Sequence, residues 1–299
     1  MKKLVSKLFV ILNKKKIIKL GKYQLETNYS HMLDVYKKKY PLYDLFLPHI
    51  CSNFSGLIID VGANIGDTAI SIFSKNDRSF IVGVEPDQDF GKICIQNIRS
   101  NKLEDRFLLV EKFITSEKGN FKIEKNKSGS TGSKVATDEP KTNSSISFSE
   151  LVLLIPKEQL PAIDMLKIDT DGYDWDIIDS YCEFIERQSH AKARFVFFEL
   201  QTFLNNIGIA DKGRVDRTLK HKSSIERLYR NGYDSFTLFD NFGTYLMTTS
   251  AIEEIISISD YIGRSQLHNN HSTFYHLDIL AFNKTDQNFV KQQLDSYQK

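Results

Sequence analysis

One short segment limits what this chain can fold into more than any other: an apolar run that leads into a glycine-containing turn and then into a helix pattern. The segment reads GLIIDVGANIGDTAISIF and spans residues 56–73. Its first part, 57–61, is typical of a buried parallel strand, and Gly62 and Gly66 allow a tight turn before the apolar-periodic part. A strand, a glycine turn and a helix in this order predict the opening unit of a fold that binds nucleotide-like ligands.

Strand and helix patterns alternate along the rest of the chain. Further apolar runs predict strands at 79–87, 106–115, 162–169, 194–200 and 276–282, and a hairpin at 235–246. Such alternation implies a parallel sheet with right-handed crossovers, and we expect the ligand site where the first and fourth strands end. A hydroxyl-rich stretch over 128–149 predicts a loop that is either a lid or disordered.

The net charge indicates which partners the protein suits, and the cysteines indicate its compartment. The formal net charge is only +2, which does not suit a protein whose main task is to neutralise a phosphate backbone, so no nucleic-acid partner is expected. Cys51, Cys94 and Cys182 are isolated from one another and fit a reducing compartment. We therefore expect a cytoplasmic protein.

The positive charge is concentrated at the start of the chain. The first 22 residues, called the basic arm below, contain eight lysines and no acid. The apolar run Leu8 to Leu12 is too short for a signal-peptide core or a membrane span. Two interpretations stay open: a solvated arm, or a peripheral contact with anionic lipid at the inner face of the membrane.

The glycine turn itself discriminates between ligands. Asn64 stands where a dinucleotide fingerprint needs its second glycine, which disfavours NAD, and Gly66 is followed by Asp-Thr in place of the Lys-Ser/Thr of a phosphate-binding loop. Asp60 and Asp67 would repel a polyphosphate but attract a sulfonium and an amino group. S-adenosylmethionine carries both of these cations. Glu85 ends the second strand, where its carboxylate can accept hydrogen bonds from both ribose hydroxyls.

Several motifs resemble those of FkbM-like S-adenosylmethionine-dependent methyltransferases. The resemblance covers most of residues 20–285 and lies mainly in IDVGANIGDT, GVEPDQDF, IDMLKIDTDGYDWDII and FFELQ. It implies an α/β, Rossmann-like class I methyltransferase fold with a mostly parallel seven-stranded sheet, helices on both faces and a last antiparallel strand. It also implies methyl transfer to an oxygen, often a hydroxyl of a sugar, glycan or natural product. The family's donor site maps onto Asp60, Gly62, Asn64, Gly66 and Glu85.

The chain departs from the family pattern at two positions. Asp171 stands where the family usually has a glutamate, and Gln201 stands where many members carry a histidine. The methyltransferase domain would span 51–285, preceded by the basic arm with a lead-in strand or helix at 1–50 and followed by a C-terminal tail at 286–299.

The end of the fourth strand supplies candidate catalytic residues. Lys167 and Asp169 share one strand face, and Asp171 begins the following turn. Methyl transfer to a hydroxyl requires alignment of the reacting atoms and removal of a proton, so Asp169 or Asp171 is the candidate base. The alternative is an Asp-Gly turn in which the lysine merely forms a salt bridge.

The sequence indicates residues for acceptor contacts and metal binding less clearly than it indicates the donor site. Glu199 and Gln201 lie on one face at the end of the fifth strand and could hydrogen-bond an acceptor. His268, His271 and His276 invite a zinc interpretation, but no cysteine or acid completes a tetrahedral set in the sequence, so no metal is expected. A small-molecule or glycan methyltransferase is favoured, and a non-catalytic module that keeps the donor pocket is the alternative. The acceptor and the oligomeric state stay open.

Overall fold

The structure is a computed structural model that describes most of the chain in separate stretches. The described residues are 15–28, 33–116, 119–125, 132–136, 143–160, 162–170, 173–188, 191–201, 203–204, 215–216, 218–267 and 275–297.

Sixteen strands occur in these stretches. They are β1 Lys15–Leu20, β2 Tyr23–Asn28, β3 Leu57–Val61, β4 Phe80–Val84, β5 Phe107–Val110, β6 Phe113–Ile114, β7 Asn120–Lys125, β8 Gly132–Ala136, β9 Asn143–Ile146, β10 Ile163–Ile168, β11 Phe195–Leu200, β12 Phe203–Leu204, β13 Val215–Asp216, β14 Ser235–Asp240, β15 Tyr245–Thr249 and β16 Leu277–Phe282.

Nine α-helices lie between and after these strands in the described part of the chain. They are α1 Leu33–Lys39, α2 Phe46–Cys51, α3 Asp67–Phe73, α4 Gln88–Ser100, α5 Phe148–Leu154, α6 Asp174–Arg187, α7 Thr218–Arg230, α8 Ile252–Leu267 and α9 Gln287–Tyr297. Short 3₁₀ turns occupy Glu104–Arg106, Lys157–Gln159 and Lys284–Asp286.

The central sheet positions the site. Its strand order is β15, β14, β16, β11, β10, β3, β4, β5. Strands β3, β4, β5, β10 and β11 pair in parallel, and β16 runs antiparallel to both of its neighbours, β11 and β14. The predicted mostly parallel sheet with an antiparallel last strand is confirmed, and β15 adds an eighth strand at the edge because the predicted hairpin continues the sheet. Strand order reverses between β3 and β10, as expected.

Hydrophobic cores cover both faces of the sheet. On one face, α5, α6, α7 and α8 bury side chains such as Phe148, Tyr181 and Ile225 against the strands. On the other, α2, α3, α4 and α9 pack with the β1–β2 hairpin, burying side chains such as Phe54 and Ile70. Burial on both sides explains why the central strands read as continuous apolar runs.

The β1–β2 hairpin is joined to α4 by two side-chain amides. Asn97 accepts from the backbone N–H of Glu26 (2.7 Å) and donates to the carbonyl oxygens of Glu26 and Ile65 (both 2.9 Å). Asn101 makes the same pair of bonds with the backbone of Gln24, at 3.0 and 2.7 Å. The amides thereby mimic a neighbouring strand and fix the hairpin beside the first βα unit.

The prediction of a loop over 128–149 is wrong for part of that range. Strands β8 and β9 fall inside it and form a four-stranded sheet in the order β6, β9, β7, β8. Val135 in β8 and Ile146 in β9 are residue types that favour strands, and β7 pairs with both strands. Residues 126–131 and 137–142 lie outside the described residues.

The prediction of a C-terminal tail at 286–299 also differs from the structure, because α9 occupies most of it. Val290, Leu294 and Tyr297 are buried in the core. The hydroxyl of Tyr297 lies within hydrogen-bonding distance of the carbonyl oxygens of Leu42 (3.0 Å) and Gly243 (2.7 Å). The end of α9 therefore contacts both the turn before α2 and the β14–β15 turn.

Across the part of the chain that the structure describes, no helix is both long enough and apolar enough to cross a bilayer.

Candidate active site

The turn after β3 has the backbone that the sequence predicts. Gly62 and Gly66 have φ values of 80° and 83°, and Asn64 between them has a φ of 46°. A Cβ atom on Gly62 would collide with the carbonyl oxygen of Asp169. Glycine is therefore required at position 62 both by its left-handed conformation and by the close approach of the residue that follows β10.

The backbone donors of this turn are already engaged. The N–H groups of Gly62 and Ala63 donate to the carbonyl oxygen of Val84, at 2.9 and 3.0 Å. The N–H of Asn64 donates to Glu85 Oε2 at 2.8 Å. A phosphate-binding loop needs such N–H groups to be free. This arrangement favours a ligand that does not place phosphates against the turn.

Glu85 is held at the end of β4 by two backbone hydrogen bonds. Its Oε2 accepts from Asn64, and its Oε1 accepts from the N–H of Asp87 at 2.8 Å. The residue is buried, and burial raises the pKa of its carboxyl group to about 7 in spite of both bonds. Each carboxylate oxygen keeps acceptor capacity, so the group can still accept hydrogen bonds from two hydroxyls of a ligand.

Lys167, on β10, contacts residues at the end of β3 and in the turn that follows it. Its ammonium lies 2.9 Å from Asp60 Oδ1 and 3.4 Å from Asp169 Oδ2, and it donates to the carbonyl oxygen of Gly62 at 3.1 Å. Burial would lower the pKa of Lys167, but Asp60 and Asp169 raise it by more, so the ammonium stays charged. Lys167 is thus suited to orienting the two acids and not to accepting a proton.

The two acids that contact Lys167 differ in exposure. The side chain of Asp60 is completely buried, whereas that of Asp169 is 57% exposed. Burial raises the pKa of Asp60, although Lys167 lowers it. Asp60 therefore contacts the lysine beneath the turn, and Asp169 is exposed at the carboxyl end of β10. Asp171, the other candidate base, lies outside the described residues.

A fully buried acid that the sequence analysis did not single out fixes the end of β11. Asp174 accepts hydrogen bonds from the N–H and the hydroxyl of Thr170, at 2.9 and 2.6 Å, and from the N–H of Glu199 at 2.9 Å. Burial and the charge of Glu199 raise its pKa to about 7. Asp174 joins the segment after β10 to the strand that carries Glu199.

Glu199 faces a histidine and an acid across a strand pair. The antiparallel register places Glu199 opposite Asp278. His276 Nε2 lies 2.6 Å from Glu199 Oε1 and 3.9 Å from Asp278 Oδ1. Burial alone would lower the pKa of His276, but Glu199 raises it by more, to about 9. The sequence analysis did not identify these two acids as neighbours of His276, because they come from strands that only the fold brings together.

Four carboxylates from separate elements face one another at this edge of the sheet, and we call them the acidic rim: Asp44, Asp67, Asp169 and Asp278. The side chain of Asp44 is exposed, and the protein atoms packed around it, together with Asp67, raise its pKa above the usual range. Burial raises the pKa of Asp278 well above its usual range, and Glu199 and Asp169 add to the rise. The acids at this edge raise one another's pKa, so a nearby cation would stabilise their charged forms.

A model of the methyltransferase FkbM domain matches residues 60–235, more than half of the chain. The chain belongs to this family. Membership of the family makes it a methyltransferase. The matched range contains the glycine turn, Glu85, Lys167, Asp169 and Glu199. No curated protein sequence matches the chain.

Solved structures resemble this methyltransferase at low identity. The O-methyltransferase from Bacillus cereus in complex with SAH is 13% identical, covers 84% of this chain and 87% of its own, and has a TM-score of 0.42. The precorrin-6y C5,15-methyltransferase from Geobacter metallireducens is 11% identical over 79% and 86% of the two chains, with a TM-score of 0.37. Human methyltransferase 10 domain containing protein is 9% identical over 84% and 80%, with a TM-score of 0.39.

The structure gathers most of the predicted site residues of this FkbM-domain methyltransferase at the carboxyl ends of β3, β4, β10 and β11. Those at the ends of the first three strands are Asp60, Gly62, Asn64, Gly66, Asp67, Glu85, Lys167 and Asp169. Glu199 ends β11, and Gln201 directly follows that strand and is partly buried. Sequence reasoning missed Asp44, Asp174 and Asp278; a local signal existed only for Asp174, which follows the Asp-Gly turn closely enough to cap it.

Donor binding is expected to depend on the ionisation of Glu85. The carboxylate form accepts hydroxyl hydrogen bonds, and with a folded pKa of about 7 it is lost as the pH falls through 7. The affinity for S-adenosylmethionine should therefore decrease about tenfold between pH 8 and pH 6, with about fivefold of this loss between pH 7 and pH 6, and level off above pH 8. Calorimetric titration at pH 6, 7 and 8 measures this.

The matched variant is Glu85→Gln, which should bind the donor ~10- to 150-fold more weakly at pH 8, because a charged acceptor is lost, and should show no such pH dependence. Glu253→Gln, at an exposed position on α8, is the control. Equal affinity in Glu85→Gln and the native chain would remove Glu85 from the donor site.

Proposed function

We propose that this methyltransferase uses S-adenosylmethionine to methylate a hydroxyl group of a sugar, a glycan or a hydroxyl-rich natural product. The observation that carries the proposal is the combination of Glu85 at the end of β4 with the acidic rim on the other side of the turn. Carboxylates on both sides suit a cationic donor and a neutral acceptor that offers hydroxyl protons.

The chemistry of the residues present fits the donor. Glu85 would accept from the ribose hydroxyls, and the glycine turn would lie against the adenosyl part without demanding phosphates. Asp67, at the start of α3, would attract the amino group. When bound, S-adenosylmethionine supplies an electrophilic methyl group. The protein's own tasks are to align the acceptor and to take its proton.

Asp169 and Asp171 are the candidates for accepting that proton. Asp169 has an exposed carboxylate beside the turn, and its contact with Lys167 at 3.4 Å orients it. A carboxylate placed within hydrogen-bonding reach of the acceptor hydroxyl can remove the proton as the new bond forms. Lys167 stays protonated and acts as a positioning residue.

The rim also disfavours strongly anionic acceptor groups. Among the described residues that act on the rim acids, Lys37, Lys167 and His276 supply positive charge, and the last two are each already close to a carboxylate. A phosphate placed there would be repelled by the surrounding acids. Hydroxyls at some distance from any phosphate, as in the sugar of a nucleotide sugar or a lipid-linked glycan, are better suited.

Incubation with methyl-labelled S-adenosylmethionine and a panel of nucleotide sugars, lipid-linked glycans and unrelated phenols tests the proposal. Transfer of label to a sugar hydroxyl is expected. Donor binding by calorimetry without transfer to any member of the panel would favour the non-catalytic alternative. Transfer to the phenols alone would overturn the sugar acceptor but keep the methyltransferase.

We further propose that the basic arm brings the enzyme to an anionic membrane surface. In the described part of the arm, Ile17 is 65% exposed and lies between the exposed Lys15 and Lys19 on one face of β1. Lysines near such a surface contribute roughly 1 kcal/mol each. Vesicles that contain phosphatidylserine should therefore sediment the native chain in a salt-dependent manner.

The matched variant replaces Lys2, Lys3, Lys7 and Lys14 by glutamine and leaves β1 intact. It should remain largely in the supernatant, and neutral vesicles should sediment neither protein. Equal and negligible sedimentation of both proteins with the anionic vesicles would leave the arm as a solvated segment.

A further inference from the structure

We propose that Glu199, His276 and Asp278 form a binding site for one divalent transition-metal ion, with two carboxylates and one imidazole as ligands. Each residue offers one ligand atom, and these atoms lie within 4.8 Å of one another. The set mixes nitrogen and oxygen, which suits Mn²⁺ or Zn²⁺ better than Mg²⁺ or Ca²⁺.

The distances need little adjustment to hold an ion. Ligand atoms that surround a metal at about 2.1 Å are separated from one another by about 3 to 4 Å. Here Nε2 of His276 is 2.6 Å from Glu199 Oε1 and 3.9 Å from Asp278 Oδ1. Shifts of about one ångström in flexible carboxylates would place all three ligand atoms at metal distance.

The backbone that carries the ligands is rigid. Glu199 and Asp278 are direct partners in the β11–β16 ladder, and Asp174 fixes the N–H of Glu199 at 2.9 Å. Continuing the same register places His276 opposite Gln201. Two of the three ligands therefore lie in one strand pair, where side chains are held more precisely than on loops, and His276 directly precedes the second strand.

An unsatisfied atom at the cluster points to a missing partner. Glu199 Oε2 is buried and has no hydrogen-bond partner in the described part of the chain. The whole side chain of Glu199 is only 12% exposed. A buried carboxylate oxygen without a donor is costly, and a coordinated cation satisfies it. The side chains of His276 and Asp278 are 19% and 27% exposed, so an ion can reach them from the cleft.

The local charge also favours a cation. Glu199 and Asp278 face each other, and Asp169 and Asp44 lie close enough to act on Asp278 electrostatically. A divalent ion would balance the pair of carboxylates that face each other directly.

Calorimetric titration of the metal-free, full-length protein with Mn²⁺ tests the site, with free Mn²⁺ followed by electron paramagnetic resonance. One ion per chain is expected. His276→Gln and Asp278→Asn should each weaken binding at least ~10-fold, and Glu253→Gln, at an exposed acid on α8, should not. Mg²⁺ should bind more weakly than Mn²⁺ because an imidazole is a poor ligand for it.

Three outcomes would overturn the proposal: no binding of Mn²⁺ or Zn²⁺ at millimolar concentration, binding of equal strength in both ligand variants, or equal affinity for Mg²⁺ and Mn²⁺. Circular-dichroism melting verifies that His276→Gln and Asp278→Asn fold. If one of them does not fold, the Mn²⁺ affinity of the other tests the proposal. The titration contains neither donor nor acceptor, so its failure leaves the proposed function untouched.

Discussion

Replacement of Asp171 by asparagine is expected to lower the rate of methyl transfer by ~10²- to 10⁴-fold while the affinity for S-adenosylmethionine stays nearly unchanged. Asparagine keeps the size and hydrogen-bonding capacity of the side chain but cannot take a proton. Asp171 follows β10 by three positions, in the segment that leads from Asp169 to the buried Asp174. Single-turnover measurement with an acceptor from the sugar panel gives the rate, and calorimetry gives the donor affinity.

Asp169→Asn is the comparison variant, because the two acids are the competing candidates for the base. Asp169 contacts Lys167 at 3.4 Å, so its variant also needs a measurement of stability. Wild-type turnover by Asp171→Asn between pH 6 and pH 9 would exclude proton removal by Asp171. A large loss in Asp169→Asn at unchanged stability would then assign the base to Asp169.

Replacement of Lys167 by methionine is expected to lower the free energy of unfolding by ~3 to 5 kcal/mol, because it leaves the carboxylate of Asp60 buried without its counter-charge. The side chains of Lys167 and Asp60 are 4% and 0% exposed, so water cannot replace the lost contact. A domain is typically stable by about 5 to 15 kcal/mol. The variant should therefore unfold at a much lower urea concentration.

Two matched variants separate the buried charge from the loss of a lysine. Lys222→Met breaks an exposed pair with Glu253 and should leave the urea midpoint almost unchanged, because such pairs are screened by solvent. The double variant Asp60→Asn with Lys167→Met should recover part of the lost stability, since no charge remains buried. Equal midpoints for Lys167→Met and Lys222→Met would contradict the electrostatic argument.

Local patterns in the sequence were sufficient to predict the central sheet and the glycine turn with the residues that surround it. Strands buried on both faces leave continuous apolar runs, and Gly62, Gly66 and Glu85 lie at fixed offsets from the first two runs. Parallel connectivity then places the ends of β3 and β10 together without further information. The helix at the end of the chain was missed because its short amphipathic pattern resembles a polar tail.

The cluster of Glu199, His276 and Asp278 depends on contacts between distant parts of the chain. His276 meets Glu199 only through the antiparallel register of β11 and β16, and no spacing in the sequence encodes that register. The strands β8 and β9 were missed for a similar reason, because their hydroxyl-rich residues become strands only when β7 pairs with them. The role of Asp171 stays a prediction, since that residue lies outside the described stretches.

Tyr297, at the end of α9, contacts two turns near the candidate active site. Its hydroxyl lies within hydrogen-bonding distance of the carbonyl oxygens of Leu42 and Gly243. One side chain therefore contacts both the turn that contains Asp44 and the β14–β15 turn. A small rotation of α9 would be transmitted through these contacts to Asp44 of the acidic rim and to the β14–β15 turn. Substitutions far along the chain from any motif could therefore tune acceptor selectivity while the donor pocket is preserved.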